Sequence, residues 1–163
     1  MTDTGRFVPE VRFMRLALDA ARRALLAGEP PVGACIVAKG QVVTTTGNGV
    51  IGGLDITAHA EILAIREACR QRRGLSLENC QLYATVEPCM MCRGACHYAG
   101  ISTFVFGATL DDMHRVTGDE LSLGAPALGR QSQRIAFVGD CLREESVALL
   151  DEWALMRQGT VAT

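Results

Sequence analysis

The sequence carries no excess of basic charge. Its 16 Lys and Arg face 18 Asp and Glu, leaving a net charge of −2. That is not the electrostatic footprint of a protein held on nucleic acid by phosphate neutralisation, although a local patch is compatible with it. No apolar run approaches the roughly 20 residues of a membrane-spanning helix, so no membrane partner is expected. Met1 to Pro9 contain Asp3 and Arg6 but no apolar signal core, so export is not expected. Internal repeats, low-complexity tracts and linker-like stretches are also missing.

What is present suits one globular unit. The composition is 48% hydrophobic and 21% charged over 163 residues, enough to bury a proper core. One domain over residues 1–163 is expected, with its core between about 11 and 157. Seven cysteines, an odd number scattered through apolar segments, point to reduced thiols and the cytoplasm.

The patterning gives an order of elements. Val11, Met14, Leu18, Ala21 and Leu25 recur at helical spacing, predicting a helix from Glu10 to Ala27 that ends before Gly28 and Pro30-Pro31. Val32–Ala38 and Gln41–Thr46 read as a hairpin turning at Lys39-Gly40. A Gly- and Asn-rich loop over 47–57 leads to a helix at Ala58–Arg72. Strand Gln81–Val86, helix Cys89–Ala99 closed by Gly100, and strand Thr103–Phe106 follow. Asp111–Arg134 shows no clear period and reads as a long functional loop. A short strand at Ile135–Val138 and a helix at Leu142–Met156, anchored by Trp153, complete the chain. Strands alternating with helices after a hairpin predict an α/β fold: a three-layer α/β/α sandwich around a five-stranded mixed sheet.

Two motifs carry the chemistry, Thr57-Ala58-His59-Ala60-Glu61 and Glu87-Pro88-Cys89-Met90-Met91-Cys92. His59, Cys89 and Cys92 make three ligands, one short of a closed tetrahedral site, which is how catalytic zinc keeps a position open. Cys89 and Cys92 lie three apart, on one helix face, with Pro88 suited to the helix start. Thiolates are favoured there by free N–H groups and the macrodipole. His59 and Glu61, two apart, share no helix face, so they converge only if the metal lies off the helix's N-terminal end. A redox C-x-x-C pair would leave His59 unexplained, and a structural zinc would need a fourth Cys or His in register. The two halves together form the H-x-E … P-C-x-x-C signature of zinc nucleobase deaminases.

On these motifs the chain resembles the cytidine deaminase-like superfamily, in the branch of guanine, cytosine and tRNA adenosine deaminases. Pro31-Val32-Gly33-Ala34, Asn48 and Phe104-Val105-Phe106-Gly107-Ala108 extend the resemblance over nearly the whole chain. The resemblance implies Zn²⁺ on His59, Cys89 and Cys92, a proton shuttle at Glu61, a base-binding amide at Asn48 with Ala60 as a further substrate contact, and a homodimer. Tyr98, on the motif helix beyond Cys92, reads either as a pocket wall or as core.

The expected substrate is a small heterocyclic amine, guanine-like first and cytosine-like second. Relatives acting on guanine place an acidic lid residue where Glu120 stands, though Gly118 replaces their usual aromatic. The alternative is adenosine deamination in tRNA. It is disfavoured by the last helix, which carries Asp151 and Glu152 where tRNA-binding relatives are basic. A zinc-stabilised interaction module without turnover is the alternative of another class, and Glu61 argues against it.

Overall fold

The structure, a computed structural model, describes residues 7–118 and 135–160. Its elements run α1 (Val11–Leu26), β1 (Gly33–Ala38), β2 (Gln41–Gly47), α2 (Ala60–Arg72), β3 (Cys80–Val86), α3 (Met90–Ala99), β4 (Thr103–Ala108), α4 (Leu110–Thr117), β5 (Ala136–Val138) and α5 (Arg143–Thr160). The five strands form one sheet in the order β2-β1-β3-β4-β5. β1 runs antiparallel to β2 and β3, whereas β3, β4 and β5 are parallel. The sheet is therefore mixed, as expected. Among the described residues no helix is long and apolar enough to cross a membrane.

Alternation along the strands makes the layers. Ala34, Ile36, Leu82, Ala84 and Phe104 face α2 and α3, where Ala60, Ala64, Ala68, Cys96 and Ala99 meet them. On the other face Cys35, Val37, Tyr83 and Val105 pack on Phe13, Met14 and Ala17 of α1. Trp153 of α5 is a packing anchor, buried with Leu149, Leu150, Val86, Ala108 and Met113. The β1–β2 hairpin turns through Lys39 (φ 51°) and Gly40 (φ 74°), the left-handed pair a two-residue loop needs.

α1 lies unusually close to the sheet. A Cβ on Gly33 would stand 2.0 Å from the Ala17 carbonyl oxygen and 2.5 Å from the Ala21 nitrogen. The alanines of α1 and a bare glycine on β1 thus let helix and strand backbones touch. On the far side of β4, a Cβ on Gly107 would meet Ser146 Oγ of α5 at 2.1 Å.

Two readings need correction. The segment from Asp111 onward is not structureless throughout: α4 begins at Leu110, with Thr109 as its N-cap. Asp112 N donates to Thr109 Oγ1 (3.1 Å), and Thr109 N donates back to the Asp112 carboxylate (2.8 Å). This capping box was readable as Thr109-x-x-Asp112, with Met113 and Val116 as the apolar stripe behind it. Secondly, α2 and α3 start one or two residues later than expected. His59 and Cys89 are their N-caps, both with extended backbone (φ −62°, ψ 150° and φ −67°, ψ 173°).

The tight α1 contact gives a paired test in urea unfolding. Gly33→Ala should destabilise the protein by about 1–3 kcal/mol, the usual cost of overpacking. Gly94→Ala, within α3 and with nothing within 4 Å of the added Cβ, should stabilise it by about 0.5–1 kcal/mol.

Candidate metal centre and base pocket

The site is assembled where two helices begin at one edge of the sheet. An N-cap side chain ordinarily accepts a hydrogen bond from its own helix. Neither His59 nor Cys89 does so, which leaves both free to face each other across the gap. The segment before His59 is tightly held. Buried Glu29 accepts from the Ile51 and Gly52 N–H groups (2.9 and 2.6 Å). Asp55 accepts from Thr57 N and Thr57 Oγ1 (2.9 and 2.7 Å). Gly49 N donates to Ala58 O at 3.0 Å, and Asn48 N to Val32 O at 2.9 Å.

His59 Nδ1, Cys89 Sγ and Cys92 Sγ form a triangle with all three edges 3.6 Å long. Zinc bonds of about 2.3 Å to sulfur and 2.0–2.1 Å to nitrogen at tetrahedral angles place such donors about 3.6–3.8 Å apart. The triangle therefore fits zinc, and it is the one cluster of His, Cys and acidic donors with metal-holding geometry among the described residues. Its protonation already leans that way. The thiol–thiol contact with Cys92 lowers the Cys89 pKa to about 4, and the bond to His59 adds to this. The same bond to Cys89 raises the His59 pKa. Cys92 is pushed upward by its contact with Cys89 and by deep burial. A divalent cation would take the place of these shared protons.

Glu61 stands second in α2, only 3% exposed. Burial pushes its carboxyl up to about 7, and its Oε2 has no hydrogen-bond partner. Asn48 Oδ1 is likewise buried and unpartnered. Both residues line one pocket with His59 and Cys89, closed by Pro30, Val32, Val50, Val86, Glu87, Leu110 and Met113. Two unsatisfied buried polar atoms on residues that line one largely apolar pocket are what a site awaiting a polar heterocycle would show.

The remaining candidates separate. Ala60 is wholly buried in the core beneath α2 and is not part of the pocket lining. Tyr98 does not line this pocket and is not core. It is 89% exposed, at the far end of α3 from the cysteines, against the ring of His97. Glu120 lies outside the described residues. Sequence reasoning missed Glu87, Leu110 and Met113. The acid was visible in the motif, but its neighbour α4 was not recognised as an element.

Comparison with known proteins adds to the geometry. Residues 9–108 match the family model described as the cytidine and deoxycytidylate deaminase zinc-binding region. A tRNA-specific adenosine deaminase of Aquifex aeolicus is 47% identical over 102 residues, 63% of this chain and 67% of the relative. A probable cytosine deaminase of Schizosaccharomyces pombe is 32% identical over 154 residues, 90% of this chain and 93% of the relative. Among solved structures, a guanine deaminase from Nitrosomonas europaea is similar with a TM-score of 0.82 and 27% identity, covering 91% of this chain and 86% of that one.

These findings overturn the expectation of a small free base, guanine-like first and cytosine-like second. The guanine deaminase is a relative at 27% identity, well below the 47% shared with a tRNA-specific adenosine deaminase. The charge argument behind that expectation also fails locally. Asp151 is paired with Arg115 at 2.8 Å, and Glu152 with Arg22, so these acids of the last helix do not stand as free charges.

If the triangle holds the metal, Cys89→Ala and Cys92→Ala should each lose most of the zinc that the parent retains through dialysis, measured by elemental analysis. One zinc per chain in either variant would refute the ligand set.

Proposed function

The chain belongs to the cytidine and deoxycytidylate deaminase zinc-binding family of hydrolytic deaminases, and we propose that its substrate is adenosine within tRNA, converted to inosine with release of ammonia. The 47% identity to a tRNA-specific adenosine deaminase carries this reading. The pocket suits a purine ring held by few polar groups. Among the described lining residues, Glu87 has both carboxylate oxygens engaged, by Arg93 (2.7 Å) and by Leu110 N (3.1 Å). Val32, Val50, Val86, Leu110 and Met113 are apolar. Asn48 Oδ1 and Glu61 Oε2 are the unpartnered side-chain oxygens on residues of these walls, left to meet the base.

Zinc on His59, Cys89 and Cys92 would supply a Lewis acid that makes hydroxide available near neutral pH. The protein's own share is proton movement and orientation. Glu61 Oε2 takes a proton from the attacking water and delivers it to the ring nitrogen beside the reacting carbon. The same carboxyl then takes the proton of the hydroxyl newly bonded to that carbon and passes it to the amine, so that ammonia leaves as the C–N bond breaks and the carbonyl forms. The Asn48 amide, with a donor and an acceptor, orients the base.

A homodimer belongs to the same reading. Beside the pocket residue Val50, the apolar side chains Ile51, Leu54 (94% exposed) and Ile56 point outward, on a loop that Glu29 and Asp55 hold rigid. A fixed apolar surface of this kind suits a second copy of the chain better than solvent. Sedimentation at micromolar concentration should give a dimer, and Leu54→Asp should shift it toward monomer; a parent that is monomeric throughout would remove the dimer.

For the substrate, the zinc-loaded protein should form inosine in an anticodon stem-loop, with affinity falling steeply as salt rises. Glu61→Gln should keep zinc and lose about 10²–10⁴-fold in rate. Efficient ammonia release from guanine or cytosine, with the RNA untouched, would overturn the tRNA reading.

A further inference from the structure

We propose that Arg93 is a positioning residue that locks the metal-ligand turn to the α4 wall of the pocket. Three contacts converge on its guanidinium. Nη2 donates to Glu87 Oε1 at 2.7 Å, Nε donates to the Pro88 carbonyl at 3.1 Å, and the plane lies over the Phe137 ring of β5, 4.4 Å from its centroid. Glu87 completes the link. Its Oε2 accepts from the N–H of Leu110, the first residue of α4, at 3.1 Å. Its own N–H donates to Ala108 O at the end of β4 (2.8 Å). Arg93 and Glu87 side chains are 23% and 22% exposed, so solvent screens this pair less than a surface one.

The consequences are local and specific. The Pro88 carbonyl belongs to the peptide that delivers Cys89, so holding it fixes the extended N-cap backbone from which Cys89 Sγ reaches His59. Through Glu87 the same guanidinium fixes the start of α4, whose Leu110 and Met113 line the pocket. Ligand turn and pocket wall then move as one body. With both oxygens occupied, Glu87 is a strut and not a second proton carrier, although it lines the pocket. Only a planar fork meets all three demands. An ammonium can pair with Glu87, but cannot also reach the Pro88 carbonyl while lying flat on Phe137.

The coupling is independent of which base is deaminated, so its test needs no substrate. Zinc release from the loaded protein to a chromophoric chelator and hydrogen exchange at the Leu110 amide are measured together. Arg93→Ala should release zinc about 10–100-fold faster, the usual effect of losing a residue that orients a ligand, and should expose the Leu110 amide. Arg93→Lys should restore protection at Leu110 but not slow zinc release. Zinc release within about twofold of the parent in Arg93→Ala would overturn the proposal. So would equal acceleration in Leu77→Ala, a destabilised variant in the buried residue that precedes β3, at the opposite end of that strand from the turn, because the role would then be general stability. Should Arg93→Ala fail to fold, Arg93→Lys decides alone, and zinc release as slow as the parent's overturns it.

Discussion

Three donor atoms 3.6 Å apart, two of them sulfur, set the terms for everything around them. Such a triangle cannot be made by one helix, because residues on one turn project outward and do not fold back on one another. It requires two chain segments, each stopping just short of being helical. The N-cap position meets that need: its backbone is extended, its side chain sits at the helix mouth, and the helix dipole favours a thiolate there. Using both N-caps as ligands leaves the helix starts without their ordinary side-chain caps, a local cost that the bound ion would offset.

The sheet decides where those mouths meet. β1 is antiparallel to β3, with Ala34 opposite Ala84, so the beginning of β1 lies beside the end of β3. β2 ends there as well, with Gly47 opposite Gly33. Val32, Asn48 and Val86, from three different strand ends, therefore reach one pocket. α2 arrives there because the loop after β2 is tied down by Glu29 and Asp55; α3 arrives as the direct continuation of β3. The close approach of α1 through Gly33 keeps this edge thin and fixed. Site and fold are thus one construction, and the metal turn cannot shift without disturbing a strand end.

Much of this was legible in the sequence, for identifiable reasons. The helices and strands have clear periods, so their order and the mixed sheet could be read from spacing alone. The ligand set was legible because metal chemistry restricts residue types severely. Glu61 was legible through the puzzle of a carboxylate that shares no face with His59; the answer is that His59 is not helical. Less legible was anything defined by contact across the chain. Nothing in its sequence neighbourhood ties Arg93 to Phe137, 44 positions later, which lies beneath it. Ala60 and Tyr98 were placed by motif and neighbourhood, and packing put one into the core and the other into solvent. α4 was missed although its capping box is local, because a segment without long periodicity was read as loop.

The charge argument shows a different kind of limit. Net charge describes a surface seen from far away, where a phosphate backbone feels only the sum. A base in a pocket feels individual groups, and only those whose bonding capacity is unspent. Asp151 and Glu152 count fully in the sum, yet each is already paired with an arginine on another helix. Glu87 faces the pocket, yet both its oxygens are committed. Conversely Asn48 adds nothing to the charge and presents one of the few uncommitted polar atoms there. Selectivity is set by what remains unsatisfied, because a buried group without a partner costs about 1–3 kcal/mol. By that measure the unpartnered oxygens of Asn48 and Glu61 are what a bound base must satisfy on the described walls.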